Sequence, residues 1–135
     1  MKKIILILLI IFVAVSAISA IGPKKAGHHG SAQYSIPEGF DISTMNIPDG
    51  IYEGVATGFS PELKVEIVVT KGDIVSVKVT DHNEVGPKYY STPIKYIPLL
   101  IVKEQNTVVD VVSGATATSK AIMAAVENAI KNALL

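Results

Sequence analysis

The chain reads as an α+β fold: a small, mainly antiparallel sheet packed against two to three helices, preceded by an N-terminal hydrophobic anchor or signal. Three observations carry this reading. First, Leu63, Val65, Ile67 and Val69 alternate with Lys64, Glu66 and Thr70; after Lys71-Gly72-Asp73, Val75, Val77 and Val79 alternate with Ser76, Lys78 and Thr80. Two period-two runs joined by a Gly turn make a β-hairpin with one buried and one wetter face. Second, Ile122, Ala125, Val126, Ala129, Ile130 and Ala133 recur at spacings of three and four, the apolar stripe of a helix. Third, Lys2-Lys3 precede an uncharged run from Ile4 to Ile21, which sets residues 1–21 apart from the folded domain.

Length and charge limit what the remainder can be. A chain of 135 residues with 49% hydrophobic composition allows one domain. Its 12 basic residues are all Lys and balance 12 acids; without residues 1–21 there remain 10 Lys against the same 12 acids, a net charge of −2. No basic surplus or stripe is available for phosphate-backbone contacts, so a nucleic-acid partner is not expected. With no cysteine, disulfides, ordinary iron–sulfur ligation and c-type haem attachment are excluded. Redox chemistry would need an organic cofactor or a His-based metal site. The pair His28-His29 has no third ligand near it, so no metal site is expected.

The run from Ile4 to Ile21 lies between two templates. A bilayer span wants about 20 apolar residues and a signal-peptide core about 7–15. Length favours a retained single-pass anchor, whereas Ser16, Ala17, Ser19 and Ala20 favour cleavage after Ala17 or Ala20. Lys pairs flank the run on both sides, so the positive-inside rule discriminates little. Both readings put the domain on the extracytoplasmic side, held at the cell membrane or secreted. Residues 22–47 hold Gly, Pro, Ser, His and Lys without periodicity and read as a flexible linker.

The domain is expected over residues 48–135. Pro48-Asp49-Gly50 is a turn signal. Ile51 to Gly58 follows as a strand with Ile51, Glu53, Val55 and Thr57 on one face, and Tyr52, Gly54, Ala56 and Gly58 on the other. Two Gly in a strand mean either close approach of a backbone or ligand, or an edge strand with a bulge. After the hairpin, Asp81-His82-Asn83-Glu84 begins a loop that runs through Pro87, Tyr89, Tyr90, Pro93 and Tyr96. Pro98 suits the first position of a short buried helix over Leu99–Val102, ending near Gln105. Asn106-Thr107 break it, and Val108–Val112 is an apolar extended run. The last helix spans Ser119–Ala133, with Lys120, Glu127 and Lys131 on its outer side and Glu127 to Lys131 an i,i+4 pair.

Asp110-Val111-Val112-Ser113-Gly114-Ala115-Thr116-Ala117-Thr118-Ser119 joins that extended run to the last helix. A strand, a Gly turn and a helix N-terminus in that order make a place for a phosphate, because the first N–H groups of a helix lack internal partners and carry its positive dipole end. Four hydroxyls, Ser113, Thr116, Thr118 and Ser119, surround Gly114. On spacing alone a plainer account is favoured: Thr118 or Ser119 caps the helix and Gly114 serves the turn.

The motif Asp-x-x-Ser-Gly-Ala-Thr (Asp110 to Thr116), followed by Thr118-Ser119, resembles the flavin-attachment motif of FMN-binding domains. Such domains occur in the C and G subunits of sodium-pumping NADH:quinone reductase and Rnf-type complexes, and in small stand-alone flavoproteins. Asp49-Gly50, Tyr52-x-Gly54, the Gly-turn hairpin and His82-Asn83-Glu84 extend the likeness over about residues 49–135. The resemblance implies covalent FMN, joined by a phosphoester to Thr116 and installed by a separate exported flavin transferase that uses FAD as donor. It implies a cofactor site of Ser113, Gly114, Ala115, Thr116, Ala117, Thr118 and Ser119, with Asp110 engaging the transferase, positioning the loop through Mg²⁺, or accepting loop N–H groups.

Where the family often has Thr after the loop Glu, this chain has Val85, which puts a polar flavin contact there in doubt. His82 and Glu84 can still touch or tune the ring, or be merely solvated. Tyr89, Tyr90 and Tyr96 are candidate aromatic platforms for it, or half-buried covers of the sheet. A Thr hydroxyl is a poor nucleophile without a base. No His, Lys or carboxylate pair within the motif is placed to activate Thr116, so attachment needs the external transferase.

The leading expectation is an exported, membrane-associated electron-transfer flavoprotein with no substrate-turning catalytic residues of its own, exchanging electrons with donor and acceptor proteins. Two alternatives belong to other classes. One is a non-redox exported binding or structural module whose Ser-Gly-Ala-Thr loop only caps the helix. The other is a hydrolase using Ser113, disfavoured because Val111 and Ala115 stand where a nucleophile elbow wants Gly.

Overall fold

A computed structural model describes residues 34–135. The expected anchor or signal over 1–21, the first part of the linker and His28-His29 lie outside the described residues. The fold is α+β. Strands β1 (Gly50–Ala56), β2 (Leu63–Thr70) and β3 (Asp73–Asp81) form an antiparallel sheet in the order β1-β2-β3, and helices α1 (Pro87–Glu104) and α2 (Thr116–Ala133) follow. Among the described residues no helix is long and apolar enough to cross a membrane.

The hairpin forms as its alternation predicts. Lys71 (φ 54°) and Gly72 (φ 82°) make the two-residue turn between paired Thr70 and Asp73, with the positive φ values that a twisted hairpin selects. Leu63, Val65, Ile67 and Val69 are all buried. The β2–β3 register shifts twice, leaving Val75 and Thr80 as extra residues on β3.

The partner of this apolar face is α2. Ala121, Ile122, Ala125, Val126, Ala129 and Ile130 are buried, and the small residues among them let the helix come close to β1. The expected strand over 51–58 is realised as β1, an edge strand whose register with β2 runs unbroken. Its Gly54 is there for close approach. A Cβ at 54 would fall inside the carbonyl oxygen of Ala125 and the amide nitrogen of Ala129, and 3.0 Å from Ala129 Cα. At this distance Asn128 Nδ2 donates to Val55 O (2.7 Å) and Asn132 Nδ2 to Glu53 O (2.8 Å).

Four expectations are corrected. The loop expected between Glu84 and Pro98 is mostly helix: α1 begins at Pro87 and continues through Pro93 and Pro98. An interior Pro costs about 3 kcal/mol of helix stability, which is why the prolines read as breakers. Here Pro93, Ile97, Pro98 and Ile101 lie on one buried face, and tertiary packing outweighs propensity. The run Val108–Val112 joins no ladder. Val109 is buried, and β3 already has a neighbour where another strand would begin: Gln105 Oε1 accepts from Ile74 N–H (3.0 Å) and Gln105 Nε2 donates to Ile74 O (2.8 Å).

The third correction concerns residues 34–47, placed by composition in the linker. Ile42 and Ile47 are buried in the core, and the segment pairs with residues 105–107 through Ile42 N–H to Gln105 O (2.9 Å), Thr107 N–H to Phe40 O (3.0 Å) and an Asp41–Asn106 bridge. The fourth is Glu127. It is 2% exposed rather than outward-facing, and it accepts from Glu38 N–H and Gly39 N–H (both 2.7 Å) and from Thr107 Oγ1 (2.6 Å). Lys131 pairs with Glu38 (2.5 Å) on the surface instead.

Gln105 is at the C-cap of α1 in the left-handed region (φ 49°), and its side chain also donates to Val102 O (2.7 Å). Gln105→Ala removes the two hydrogen bonds that join the end of α1 to β3 and a third that turns back to Val102 O. It is expected to cost about 1–3 kcal/mol, read as a lower midpoint in urea unfolding with an unchanged m-value.

Candidate functional site

The motif stretch builds a turn and then a helix start. Ala115 N–H donates to Val112 O (2.9 Å), with Gly114 at φ 77° third in the turn, the position that a type II turn reserves for Gly. Helix α2 starts at Thr116, three residues earlier than the spacing predicted, with Ala115 as N-cap and no side-chain cap. The capping account therefore does not describe this helix. Ser119 Oγ accepts from Val112 N–H (3.1 Å), stapling the turn to the helix. Thr118 Oγ1 donates to Glu84 Oε2. The first helical bond is Ser119 N–H to Ala115 O (3.0 Å). The N–H groups of Thr116, Ala117 and Thr118 precede it, as helix geometry requires, and find no acceptor among the described residues.

These residues open onto a cleft of about 520 Å³, within the ~300–1,000 Å³ span of small-molecule sites. Gly114, Ala115, Thr116, Ala117 and Thr118 line one part of it; Glu84, Val85, Gly86 and Tyr89 line another; Phe59 completes it. The Thr116 side chain is exposed. The walls are mostly apolar, with an unpartnered helix N-terminus at one side.

Glu84 holds the cleft together. It is 8% exposed and accepts from Phe59 N–H (3.2 Å), Ser60 N–H (3.0 Å) and the Thr118 hydroxyl. A buried carboxylate with three donors is a stable arrangement, since a buried charge must be hydrogen-bonded. Gly58 makes room for it, because a Cβ there would stand 2.6 Å from Glu84 Oε1.

Other expected site residues fall outside the cleft. His82 packs at a tilt against Tyr90, centroids 4.7 Å apart, and its Nδ1 accepts from Glu84 N–H (3.2 Å), so the pair supports the Glu84 loop. Tyr96 is exposed on α1 without lining the cleft. Ser113 is exposed at the turn, and Asp110 is exposed and accepts no hydrogen bond from the described residues. Of the three tyrosines, only Tyr89 faces the cleft. Val85 lines the cleft with an apolar side chain, in line with the doubt over a polar contact there; Phe59 and Gly86 were not anticipated. An aromatic immediately after the Gly-bearing strand end, Gly58-Phe59, was the available signal for the first.

A model of the FMN-binding domain family matches residues 58–131, a span that takes in every cleft-lining residue. A protein of Treponema pallidum (strain Nichols) described only as an uncharacterized protein is 38% identical over 89 residues, 66% of this chain. The chain spans about a quarter (24%) of that relative's length. The residues present fit FMN: free N–H groups at a helix start for its phosphate, and apolar and aromatic walls for its ring. With the match covering more than half of its length, the chain belongs to the FMN-binding domain family and is a flavin-binding protein.

Proposed function

We propose that this is an electron-transfer flavoprotein of the extracytoplasmic side of the membrane, its FMN joined by a phosphoester to Thr116 Oγ1. The observation that carries the reading is the position of Thr116. Its exposed side chain is at the first residue of α2, inside the cleft, beside three N–H groups with no acceptor among the described residues. A phosphate attached there would be met by those donors and by the positive end of the helix dipole.

In the attachment step, Thr116 Oγ1 attacks the flavin-side phosphorus of FAD. A P–O bond forms, the pyrophosphate P–O bond breaks, AMP leaves, and the hydroxyl proton passes to a base of the transferase. Glu84, the carboxylate of the cleft, is engaged by three donors from Phe59, Ser60 and Thr118 and has no hydrogen bond to Thr116 among the described residues, so the base is assigned to the transferase. When bound, FMN supplies reversible electron transfer. The chain's own residues would hold its tail at the start of α2 and would offer the apolar and aromatic lining of the cleft to its ring. A covalent tail also replaces the need for a deep pocket, because a tethered group stays at high effective concentration.

The test is an intact mass after co-expression with an exported flavin transferase. The parent is expected to gain one FMN less one water, and Thr116→Ala to gain nothing. A mass gain kept in Thr116→Ala would overturn the assignment, and so would an unmodified, colourless parent beside an active transferase.

A further inference from the structure

Phe59 is 63% exposed, yet its backbone is fixed: its N–H and that of Ser60 both end on the buried carboxylate of Glu84. The same carboxylate takes the hydroxyl proton of Thr118, two residues beyond Thr116. One side chain thus ties the loop carrying Phe59 to the helix turn carrying the attachment residue. Gly58 is the opening that admits it. A large aromatic held in place at a cleft mouth, but left uncovered, is arranged for a ligand that covers it. Tyr89 is the other aromatic that lines the cleft, while Tyr90 packs on His82 instead.

We infer that Phe59 is a wall against which the flavin ring packs, and that Glu84 is the positioning residue that holds this wall in register with Thr116. Replacing Glu84 by Gln puts an NH₂ group against N–H donors on one side of the carboxylate. At least one of its three bonds is lost, and the loop is freed while the overall shape is kept. Phe59→Leu leaves the loop pinned and removes only the ring. Because Phe59 is mostly exposed, this variant keeps the fold.

The inference rests on the cleft being the flavin site, and the experiment separates the two. The full chain, loaded by a flavin transferase, is measured by visible circular dichroism and by flavin fluorescence anisotropy. The unloaded chain is measured by amide hydrogen exchange. Glu84→Gln is expected to speed exchange at Phe59 and Ser60 at least tenfold. It should also cut the flavin's dichroic bands by more than half and lower its anisotropy, with the mass gain at Thr116 retained. Phe59→Leu is expected to lose the same dichroism with exchange at Ser60 unchanged. A role for Glu84 in stability alone would lower Tm and leave the dichroism of the still-folded loaded protein intact. Flavin dichroism and anisotropy equal to the parent's in both variants overturn the proposal; if Glu84→Gln does not fold, Phe59→Leu decides alone. If the parent takes no covalent FMN, the attachment reading fails by itself. Free FMN titrated into the purified parent and Phe59→Leu then tests the wall: weaker binding by Phe59→Leu supports it, and a flat titration of the parent overturns it.

Discussion

Gly54→Ala is expected to abolish the native fold at 25 °C. The added methyl has nowhere to go: the atoms it meets, Ala125 O, Ala129 N and Ala129 Cα, all belong to the backbone of α2. A flexible side chain could swing aside, but a helix backbone moves only as a unit. Shifting α2 off β1 would strip cover from Val65 and Ile67, and would break the Asn128 and Asn132 hydrogen bonds to β1. Overpacking against movable neighbours costs about 1–3 kcal/mol; against fixed backbone the cost is expected to exceed ~4 kcal/mol. That is a large share of the ~5–15 kcal/mol available to a domain of this size. Gly72→Ala is the contrast. Its Cβ would meet nothing within 4 Å, and only its φ of 82° is unfavourable, a cost of about 1–2 kcal/mol. Urea unfolding of the two variants should therefore show a shifted midpoint for Gly72→Ala and no cooperative transition for Gly54→Ala. Equal midpoints would rule out a close approach of the α2 backbone to Gly54.

Glu127→Ala is expected to destabilise by about 3–5 kcal/mol, since it leaves the N–H groups of Glu38 and Gly39 and the hydroxyl of Thr107 without their acceptor in the interior. On a domain of about 100 residues that lowers Tm by at least ~12 °C. The loss also has a location. The amides of Glu38, Gly39 and Phe40 should exchange much faster than those of β2, because this segment is held chiefly through Glu127 and Thr107. Lys131→Ala provides the comparison. Its ion pair with Glu38 has side chains 46% and 62% exposed, and such pairs contribute ~1 kcal/mol or less.

The same residue shows where sequence reasoning stops. Glu127 precedes Lys131 by four, and on a helix that spacing reads as a surface ion pair. Its real partners are backbone groups 88 and 89 residues away, in a segment with no periodicity to announce it. Local pattern was enough for β2, β3 and α2, because each buries a repeating face against the others. It was enough for the Gly114 turn and the cleft-lining run from Gly114 to Thr118, whose chemistry is contiguous in the chain. It failed for the first half of α1, where Pro93 and Pro98 carry an intrinsic cost that only their burial outweighs. It also failed for Phe59, which reaches the cleft through a carboxylate 25 residues away.

The side-chain amides along the sheet have a consequence for how the domain behaves in company. An open three-stranded sheet offers two rows of unspent peptide groups, the usual template on which chains polymerise. Here Asn128 and Asn132 occupy the outward carbonyls of Val55 and Glu53, and Gln105 takes both peptide groups of Ile74 at the start of the opposite margin. Val75 and Thr80 put the rest of that margin out of step. Three carboxamides thus stand where the peptide groups of a neighbouring chain would otherwise pair.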